Sequence, residues 1–172
     1  MPEMPEVEQV RKTLMPYIVG KKIKNVEVRL PRLVQYPSVD LFVKKLTGRK
    51  ILEILRRGKY LLLNLDKGTL IVHLRMTGAL LALKDKQEPP YAKIKFSLTD
   101  NVTMWFTDIR TFGTLYYVDD DYEIEGFASL GPEPLSDDLT IKYLEPLAKK
   151  SQKPIKTFIL DQRIIAGLGN IY

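Results

Sequence analysis

The sequence has 172 residues, of which 45% are hydrophobic, and it contains no cysteine and a single histidine. No apolar run approaches the roughly 20 residues of a membrane-spanning helix, and without cysteine these residues can form neither disulfides nor thiolate metal sites. There are 27 Lys and Arg against 21 Asp and Glu, giving a net charge of +6. This balance suits an anionic partner such as nucleic acid but also occurs in ordinary soluble proteins.

The first predicted elements are two helices separated by a strand. Apolar residues recur at helical spacing from about residue 6 to residue 18, and Gly20 ends this amphipathic helix. Alternation over 24–30 predicts a strand. Ser38 is a typical N-cap for a short helix, which Gly48 closes.

From residue 51 the hydrophobic period changes to that of strands. Hairpin turns are predicted at 66–68 and 99–101, where glycine, asparagine and aspartate cluster. The predicted strands cover 51–55, 60–65, 69–75, 79–83, 93–98, 102–106 and 114–118. This spacing predicts an antiparallel meander that closes into a sandwich or barrel.

The last part of the sequence is predicted to be helical. Leu-Gly-Pro-Glu-Pro at 130–134 indicates a stiff connector. Asp137 and Asp138 are predicted to cap one helix, and Pro154 to begin another. The Gly-Leu-Gly-Asn turn at 167–170 should open a further helix, but the sequence stops two residues later. We therefore expect a β domain over 1–130 followed by a partial helical module over 131–172.

The first candidate site is Pro2 with Glu3. A small residue after Met1 allows an aminopeptidase to remove Met1, leaving Pro2 with a secondary amine that adds to an aldehyde-like carbon and gives an iminium directly. Amino termini titrate near pH 8 (about 7.7–8.0), so part of this amine is nucleophilic at neutral pH. Glu3 is close enough to move protons at the same centre. The alternative is an ordinary helix start, where proline and acidic residues are favoured.

Two further segments could contact anions. In the turn at 167–170, two glycines allow successive N–H groups to converge on one anion, and Asn170 adds an amide; a plain interhelical turn is the alternative. The basic run 56–59 ends in Lys59 at the start of a strand. Such runs are usually solvated, but Lys59 could contact a phosphate or act as an acid.

Two loops each place a large apolar residue near an arginine and just before a glycine. Met76 follows Arg75, and Phe112 follows Arg110. Large apolar residues close to a turn most often belong to the hydrophobic core. Apolar wedges beside arginine at loop tips also unstack base steps, as enzymes that act on an extruded base require.

These segments, taken in order, resemble the formamidopyrimidine-DNA glycosylase family over the whole sequence. The matching motifs are Pro2-Glu3-x-Pro5-Glu6-Val7-Glu8, Arg57-Gly58-Lys59-Tyr60-Leu61-Leu62, His73-Leu74-x-Met76-x-Gly78, Asp108-x-Arg110-x-Phe112-Gly113, Leu130-Gly131-Pro132-Glu133-Pro134-Leu135 and Gly167-x-Gly169-Asn170-Ile171-Tyr172. No single motif is decisive, but six in one order are highly specific.

The resemblance implies an α+β fold: a two-layer antiparallel β-sandwich with an N-terminal helix, followed by a partial helix–two-turns–helix module. It implies a monomeric enzyme of the bacterial cytoplasm, associated with the nucleoid, that excises 8-oxoguanine and formamidopyrimidines from double-stranded DNA. It then cleaves the strand at the abasic site by β,δ-elimination.

The resemblance also implies a role for each candidate residue. Pro2 would be the nucleophile at the sugar C1′, Glu3 the proton-transfer carboxylate and Lys59 a second essential cation. Met76, Arg110 and Phe112 would fill the gap left by the extruded lesion. His73 and Asn170 would contact phosphates of the DNA.

The sequence departs from the family pattern at several points. Family members continue past this length into a four-cysteine zinc finger, so no metal or other cofactor is expected in this chain. Arg75, Ile109 and Thr111 stand where glycine, proline and a basic residue are common. Two alternatives stay open, an endonuclease VIII-like enzyme for oxidised pyrimidines and a truncated, non-catalytic DNA-binding domain. The set of Met76, Arg110 and Phe112 argues against the first.

Overall fold

The computed structural model describes residues 1–85, 87–119 and 124–172. Along these ranges the elements are, in chain order, α1 (Met4–Ile18), β1 (Ile23–Val28), a short 3₁₀ turn (Pro31–Leu33), β2 (Val34–Tyr36), α2 (Val39–Leu46), β3 (Ile51–Arg57), β4 (Tyr60–Leu65), β5 (Thr69–His73), β6 (Gly78–Leu83), β7 (Ala92–Leu98), β8 (Thr103–Asp108), β9 (Thr114–Val118), α3 (Ile141–Lys150) and α4 (Ile155–Leu160). None of the helices in these ranges is long and apolar enough to cross a membrane.

The strands form two sheets that share one hydrophobic core. The four-stranded sheet has the order β1-β7-β8-β6, and the five-stranded sheet has the order β2-β9-β5-β4-β3. Alternate side chains of both sheets face inward. The fully buried core includes, from the two sheets, Leu61, Leu63, Leu70, Val72, Ile94, Phe96, Met104 and Phe106. The predicted fold class, a two-layer antiparallel β-sandwich with an N-terminal helix and helices at the end, is confirmed.

The two N-terminal helices cover the sandwich with their apolar faces. Helix α1 contacts β3 and β6 and buries three residues at helical spacing: Val7, Leu14 and Ile18. Helix α2 begins as predicted, because the Ser38 hydroxyl accepts the Leu41 N–H at 3.4 Å. Phe42 and Leu46 on its inner face are fully buried.

Some predicted details were wrong. Strand β2 was missed because it is only three residues long, and it pairs with β9 in parallel, the exception to the antiparallel pattern. Helix α3 is not capped by Asp137 or Asp138. Its cap is Thr140, whose hydroxyl accepts the Tyr143 N–H at 3.0 Å. The start of α4 after Pro154 is confirmed. The division at residue 130 stays a prediction.

The topology brings two loops to one end of the sandwich. The loop from β5 to β6 and the loop from β8 to β9 each pass from one sheet to the other. His73 pairs with Thr114 where β5 and β9 meet, and Gly78 pairs with Asp108 where β6 and β8 meet. Tyr60 also pairs with His73, which places the preceding Lys59 at this end.

We expect a substitution in a strand to lower stability much more when the side chain faces the core than when it faces solvent. Leu63→Ala should lower the free energy of unfolding by about 2–5 kcal/mol, because Leu63 is fully buried and a cavity remains. Leu52→Ala is the control, since Leu52 is 50% exposed, and it should change stability by about 0.5 kcal/mol or less. Urea unfolding of both variants checks this, and equal losses would contradict the assigned strand faces.

Candidate active site

Glu3 is a buried carboxylate at the start of α1. Its side chain is only 3% exposed, and its oxygens accept the Ile171 N–H at 2.6 Å and the Tyr172 N–H at 2.9 Å. Burial disfavours the charged form, but these two N–H groups and the positive charge of Lys59 outweigh it, so the pKa of Glu3 is lowered. The carboxylate is therefore ionised at neutral pH and can accept a proton.

The glycine turn at 167–170 makes this close approach possible. A Cβ on Gly169 would lie 2.2 Å from Cδ of Glu3, so only glycine fits there. Gly167 has φ of +88°, a conformation that favours glycine, and its carbonyl accepts the Met4 N–H at 3.2 Å. The N–H groups that follow the turn do converge on an anion, and that anion is Glu3 of the same chain. Asn170 is exposed beside it.

Gln162 holds the turn in shape through both ends of its side-chain amide. Its Oε1 accepts the Gly167 N–H at 2.8 Å, while its Nε2 donates to the carbonyls of Leu168 at 2.9 Å and Leu160 at 3.1 Å. These three bonds fix the segment that presents its N–H groups to Glu3. Gln162 belongs to none of the sequence motifs and was missed; no signal in a single sequence distinguishes it from a surface glutamine.

Lys59 is held by the hairpin between β3 and β4. Glu133 of the connector accepts the Gly58 N–H at 2.5 Å, and also hydrogen bonds from Arg56 at 2.7 Å and Arg57 at 3.1 Å. Arg57 donates in addition to the carbonyl of Gly131 at 2.8 Å. The two arginines before Lys59 are therefore partly buried and paired with Glu133, and they join the connector to the sandwich.

Lys59 and Glu3 share a cleft of about 310 Å³. The other residues that line it are Met1, Leu160, Leu168, Gly169, Asn170 and Ile171. Lys59 is 8% exposed. Burial lowers the pKa of its ammonium, while the nearby charges of Glu3 and Glu6 act in the opposite direction. The cleft thus combines an ionised carboxylate with a lysine that releases its proton more readily than a surface lysine, next to the N-terminal segment that contains Pro2.

His73 lies at the end of β5 and is a neutral hydrogen-bond donor. Burial lowers the pKa of its imidazole to about 3, and the charges of Arg75 and Lys59 act in the same direction. Its Nδ1 accepts the Arg75 N–H at 3.0 Å, so the proton of the neutral ring is on Nε2. The ring also meets Tyr60 edge to face at 4.6 Å. The Nε2–H can donate to an anion such as a phosphate oxygen.

The two predicted wedge residues are exposed at adjacent loops. Met76 is 39% exposed and Phe112 is 52% exposed, so the alternative that they are core residues is wrong. The Arg110 guanidinium lies over the Phe112 ring, 5.3 Å from its centre. These three residues are outside the lining of the cleft at Glu3 but share the end of the sandwich that carries Lys59 and His73. The cleft of Glu3 and Lys59 therefore lies at the same end of the fold as an exposed tip, which consists of Met76, Arg110 and Phe112.

The comparisons with known proteins agree on one family. The family model of the formamidopyrimidine-DNA glycosylase N-terminal domain matches residues 1–115, and that of the H2TH domain matches residues 130–172. The formamidopyrimidine-DNA glycosylase of Carboxydothermus hydrogenoformans is 45% identical over 174 residues, covering all of this chain and 63% of that protein. The Bacillus subtilis protein of the same name is 40% identical over 177 residues, with 64% of its length covered.

Solved structures give the same result. The Lactococcus lactis formamidopyrimidine-DNA glycosylase, non-covalently bound to DNA that contains an abasic site, is 37% identical with a TM-score of 0.91. The alignment covers 99% of this chain and 66% of that one. A structure of MutM in complex with DNA containing carbocyclic 8-oxo-G is 38% identical, with a TM-score of 0.91 and 65% of its chain covered. The chain therefore spans a little under two thirds of the length of the proteins it matches.

The protonation of His73 gives a direct test of its burial. His73 is the single histidine in the sequence, so its ring protons give one set of NMR signals. We expect no titration near pH 6.5, and a folded-state pKa of about 3. Because the unfolded chain binds a proton first as the pH falls, His73 should contribute stability near neutrality that is lost between about pH 6.5 and pH 3, at up to about 1.4 kcal/mol per pH unit.

Carboxylates also change stability as the pH falls, but they are the same in the wild type and in His73→Gln. The difference in stability between the two proteins therefore measures the contribution of His73. The wild type should lose stability more steeply than the variant as the pH falls. A midpoint near pH 6.5 in the folded protein would contradict the buried, neutral ring.

The role of Gln162 can be measured through the pKa of Glu3. Gln162→Met keeps the side-chain length but removes three hydrogen bonds, so the N–H groups of Ile171 and Tyr172 should no longer be held against Glu3. Burial would then dominate, and the pKa of Glu3 should rise. Carboxyl-carbon NMR titration measures it, with Gln152→Met as the control because Gln152 is exposed. An unchanged pKa in Gln162→Met would show that the turn keeps its shape without Gln162.

Proposed function

The chain belongs to the formamidopyrimidine-DNA glycosylase family, and we propose that it is a DNA repair enzyme that excises oxidised purines from duplex DNA and then cleaves the abasic strand. The observation that carries this proposal is the buried, ionised Glu3 that shares a cleft with Lys59 directly after Pro2. Glu3 is also the N-cap residue of α1, as the alternative of an ordinary helix start predicts. A carboxylate that is ionised at 3% exposure and shares a cleft with a buried lysine supports a further role in proton transfer.

The proposed nucleophile is the Pro2 nitrogen after removal of Met1. Met1 lies at the cleft and is 52% exposed, so its peptide bond is accessible. The nitrogen lone pair forms a bond to the sugar C1′, and the damaged base leaves with the electrons of the glycosidic bond and takes up a proton. The nitrogen then loses its proton, and its lone pair forms the C=N bond of an iminium as the ring C1′–O4′ bond opens; the electrons of that bond go to O4′, which takes up a proton. A base removes a C2′ proton, and the electrons of that C–H bond expel the 3′ phosphate; removal of the C4′ proton in the same way expels the 5′ phosphate.

Glu3 and Lys59 are proposed to move the protons in these steps. Glu3 accepts the proton that the Pro2 nitrogen releases after it has bonded to C1′, because its carboxylate is ionised at neutral pH, and it can pass this proton to O4′ when the ring opens. Lys59 donates to the departing group, because burial lowers the pKa of its ammonium. A pair of groups with opposite charge in one cleft can supply both directions of proton transfer.

We further propose that the edge of the cleft and the surface around it bind double-stranded DNA with an oxidised base or an abasic site. The Nε2–H of His73 and the exposed amide of Asn170 contact phosphates. Met76, Phe112 and Arg110 enter the space left by the extruded lesion, with Arg110 facing the orphaned base. Their exposure and the stacking of Arg110 on Phe112 support this assignment. The chain is proposed to act as a monomer in the cytoplasm.

The zinc finger of the family has no ligands among these residues, which contain no cysteine. The proposed steps use the Pro2 nitrogen and side chains of this chain. All of them require the free Pro2 nitrogen.

Borohydride trapping tests the proposal. The chain, shown by mass spectrometry to begin at Pro2, should form a covalent adduct with duplex DNA that contains an abasic site, because borohydride reduces the iminium to a stable amine. Peptide mapping should place the DNA on Pro2. Insertion of Gln between Met1 and Pro2 is the matched variant, since a bulky second residue retains Met1 and converts Pro2 into an amide; trapping should fall to background.

Two results would overturn this proposal. Equal trapping by the inserted variant, or an adduct mapped to a lysine, would exclude Pro2 as the nucleophile. Binding of abasic DNA without any trapping would favour the non-catalytic alternative.

A further inference from the structure

The hydroxyl of Thr77 joins the two loops that carry Met76 and Arg110. It accepts the backbone N–H of Arg110 at 2.9 Å and donates to Oδ1 of Asp108 at 2.6 Å. One oxygen atom therefore bridges the β5–β6 loop and the β8–β9 loop. A hydroxyl that both donates and accepts is required for this geometry, because the two partners are an N–H donor and a carboxylate acceptor.

Asp108 anchors this bridge inside the sandwich. It is 1% exposed, and its second oxygen accepts the Gly113 N–H at 2.7 Å, so one carboxylate fixes both ends of the loop from 109 to 113. A Cβ on Gly113 would lie 2.4 Å from the Phe106 ring, which shows how closely the end of the loop packs. Buried carboxylates with satisfied oxygens are rigid points of a structure.

The middle of the loop is fixed from the opposite side by Arg32. Its guanidinium donates to the Thr111 carbonyl at 2.9 Å and to the Thr111 hydroxyl. Thr111 has φ of +59°, which a β-branched residue adopts only when its surroundings impose it. Arg110 therefore lies between two fixed points, Thr77 on one side and Arg32 with Thr111 on the other, while its side chain is exposed over Phe112.

We propose that Thr77 is a positioning residue that sets the preference for the base opposite the lesion. The proposal rests on the proposed function, in which Arg110 faces the orphaned base. A guanidinium distinguishes bases by directional hydrogen bonds to their edges, and a bidentate contact discriminates by about 1–3 kcal/mol, or roughly 5- to 150-fold. Thr77 does not touch the DNA in this scheme. It fixes the backbone from which Arg110 extends and keeps Met76 in register with it.

The test compares two variants of Thr77 that differ in one feature. Thr77→Val keeps the shape and loses the hydroxyl, whereas Thr77→Ser keeps the hydroxyl. Thr13→Val is the control, because Thr13 is exposed on α1 far from the loops. For each chain we would measure affinity for duplexes with a tetrahydrofuran abasic analogue opposite cytosine and opposite adenine. Amide hydrogen exchange at Arg110 and trapping at preformed abasic sites are measured in parallel.

We expect the wild type, Thr77→Ser and Thr13→Val to prefer cytosine. Thr77→Val should lose about fivefold or more of the cytosine-to-adenine affinity ratio. Its Arg110 amide should exchange faster, while trapping at abasic sites stays near the wild-type level. Loss of the ratio with retained trapping separates a positioning role from general loss of folding.

The proposal is overturned if Thr77→Val exchanges faster at Arg110 but keeps the ratio, or if Thr77→Ser loses the ratio with an unchanged amide. If Thr77→Val does not fold, Thr77→Ala, which also lacks the hydroxyl, is measured in the same way and decides by the same comparison. A wild type that traps abasic DNA but shows no preference for cytosine overturns the role of Thr77 and leaves the proposed function intact. A wild type that does not trap refutes the proposed function, while the affinity ratio and the exchange data still decide on Thr77.

Discussion

The constraint on which the candidate site depends is the burial of the Glu3 carboxylate. An ionised carboxylate is costly to remove from water unless donors replace its hydration. Here the donors are backbone N–H groups of Ile171 and Tyr172, about 170 positions away in the chain. The close approach in turn requires that Gly169 lack a side chain and that Gly167 adopt a positive φ. The candidate site therefore cannot be assembled by the β-sandwich alone, and the turn after α4 is part of it.

A second, partly buried carboxylate, that of Glu133, holds these two parts of the chain together. Glu133 binds Arg56, Arg57 and the N–H of Gly58, and its pKa is lowered because these contacts outweigh the cost of burial. The connector is held further by the Gly131 N–H, which donates to the Gln162 carbonyl at 2.9 Å. Lys59 follows the hairpin directly, and Gln162 shapes the turn at Glu3. The network therefore fixes both sides of the cleft relative to each other through hydrogen bonds to charged groups, which are stronger than those between neutral groups.

The sequence predicted the elements whose signals are local. Strand β4 and the Ser38 cap of α2 agree with the structure because alternation and capping act over a few residues. Sequence reasoning also brought Glu3 and Lys59 together, through a resemblance covering the whole chain. It missed β2, which has three residues, and it named Asp137 and Asp138 as caps where the structure has Thr140, because aspartate and threonine are both common at this position. Gln162 and Thr77 were missed because their importance arises from partners that only the folded chain brings near.

The topology explains why the cleft and the exposed tip lie together although they need opposite surroundings. The proposed proton transfer uses two buried groups, Glu3 and Lys59, whereas residues proposed to enter a DNA duplex must be exposed. Both loops of the tip cross between the sheets at the end where β5 pairs with β4 and with β9. His73 is the junction: it is buried against Tyr60 on one side and fixed by the Arg75 N–H on the other. His73 therefore joins the strand that follows Lys59 to the loop that carries Met76, so the cleft and the two exposed loops are built on one set of strand pairings.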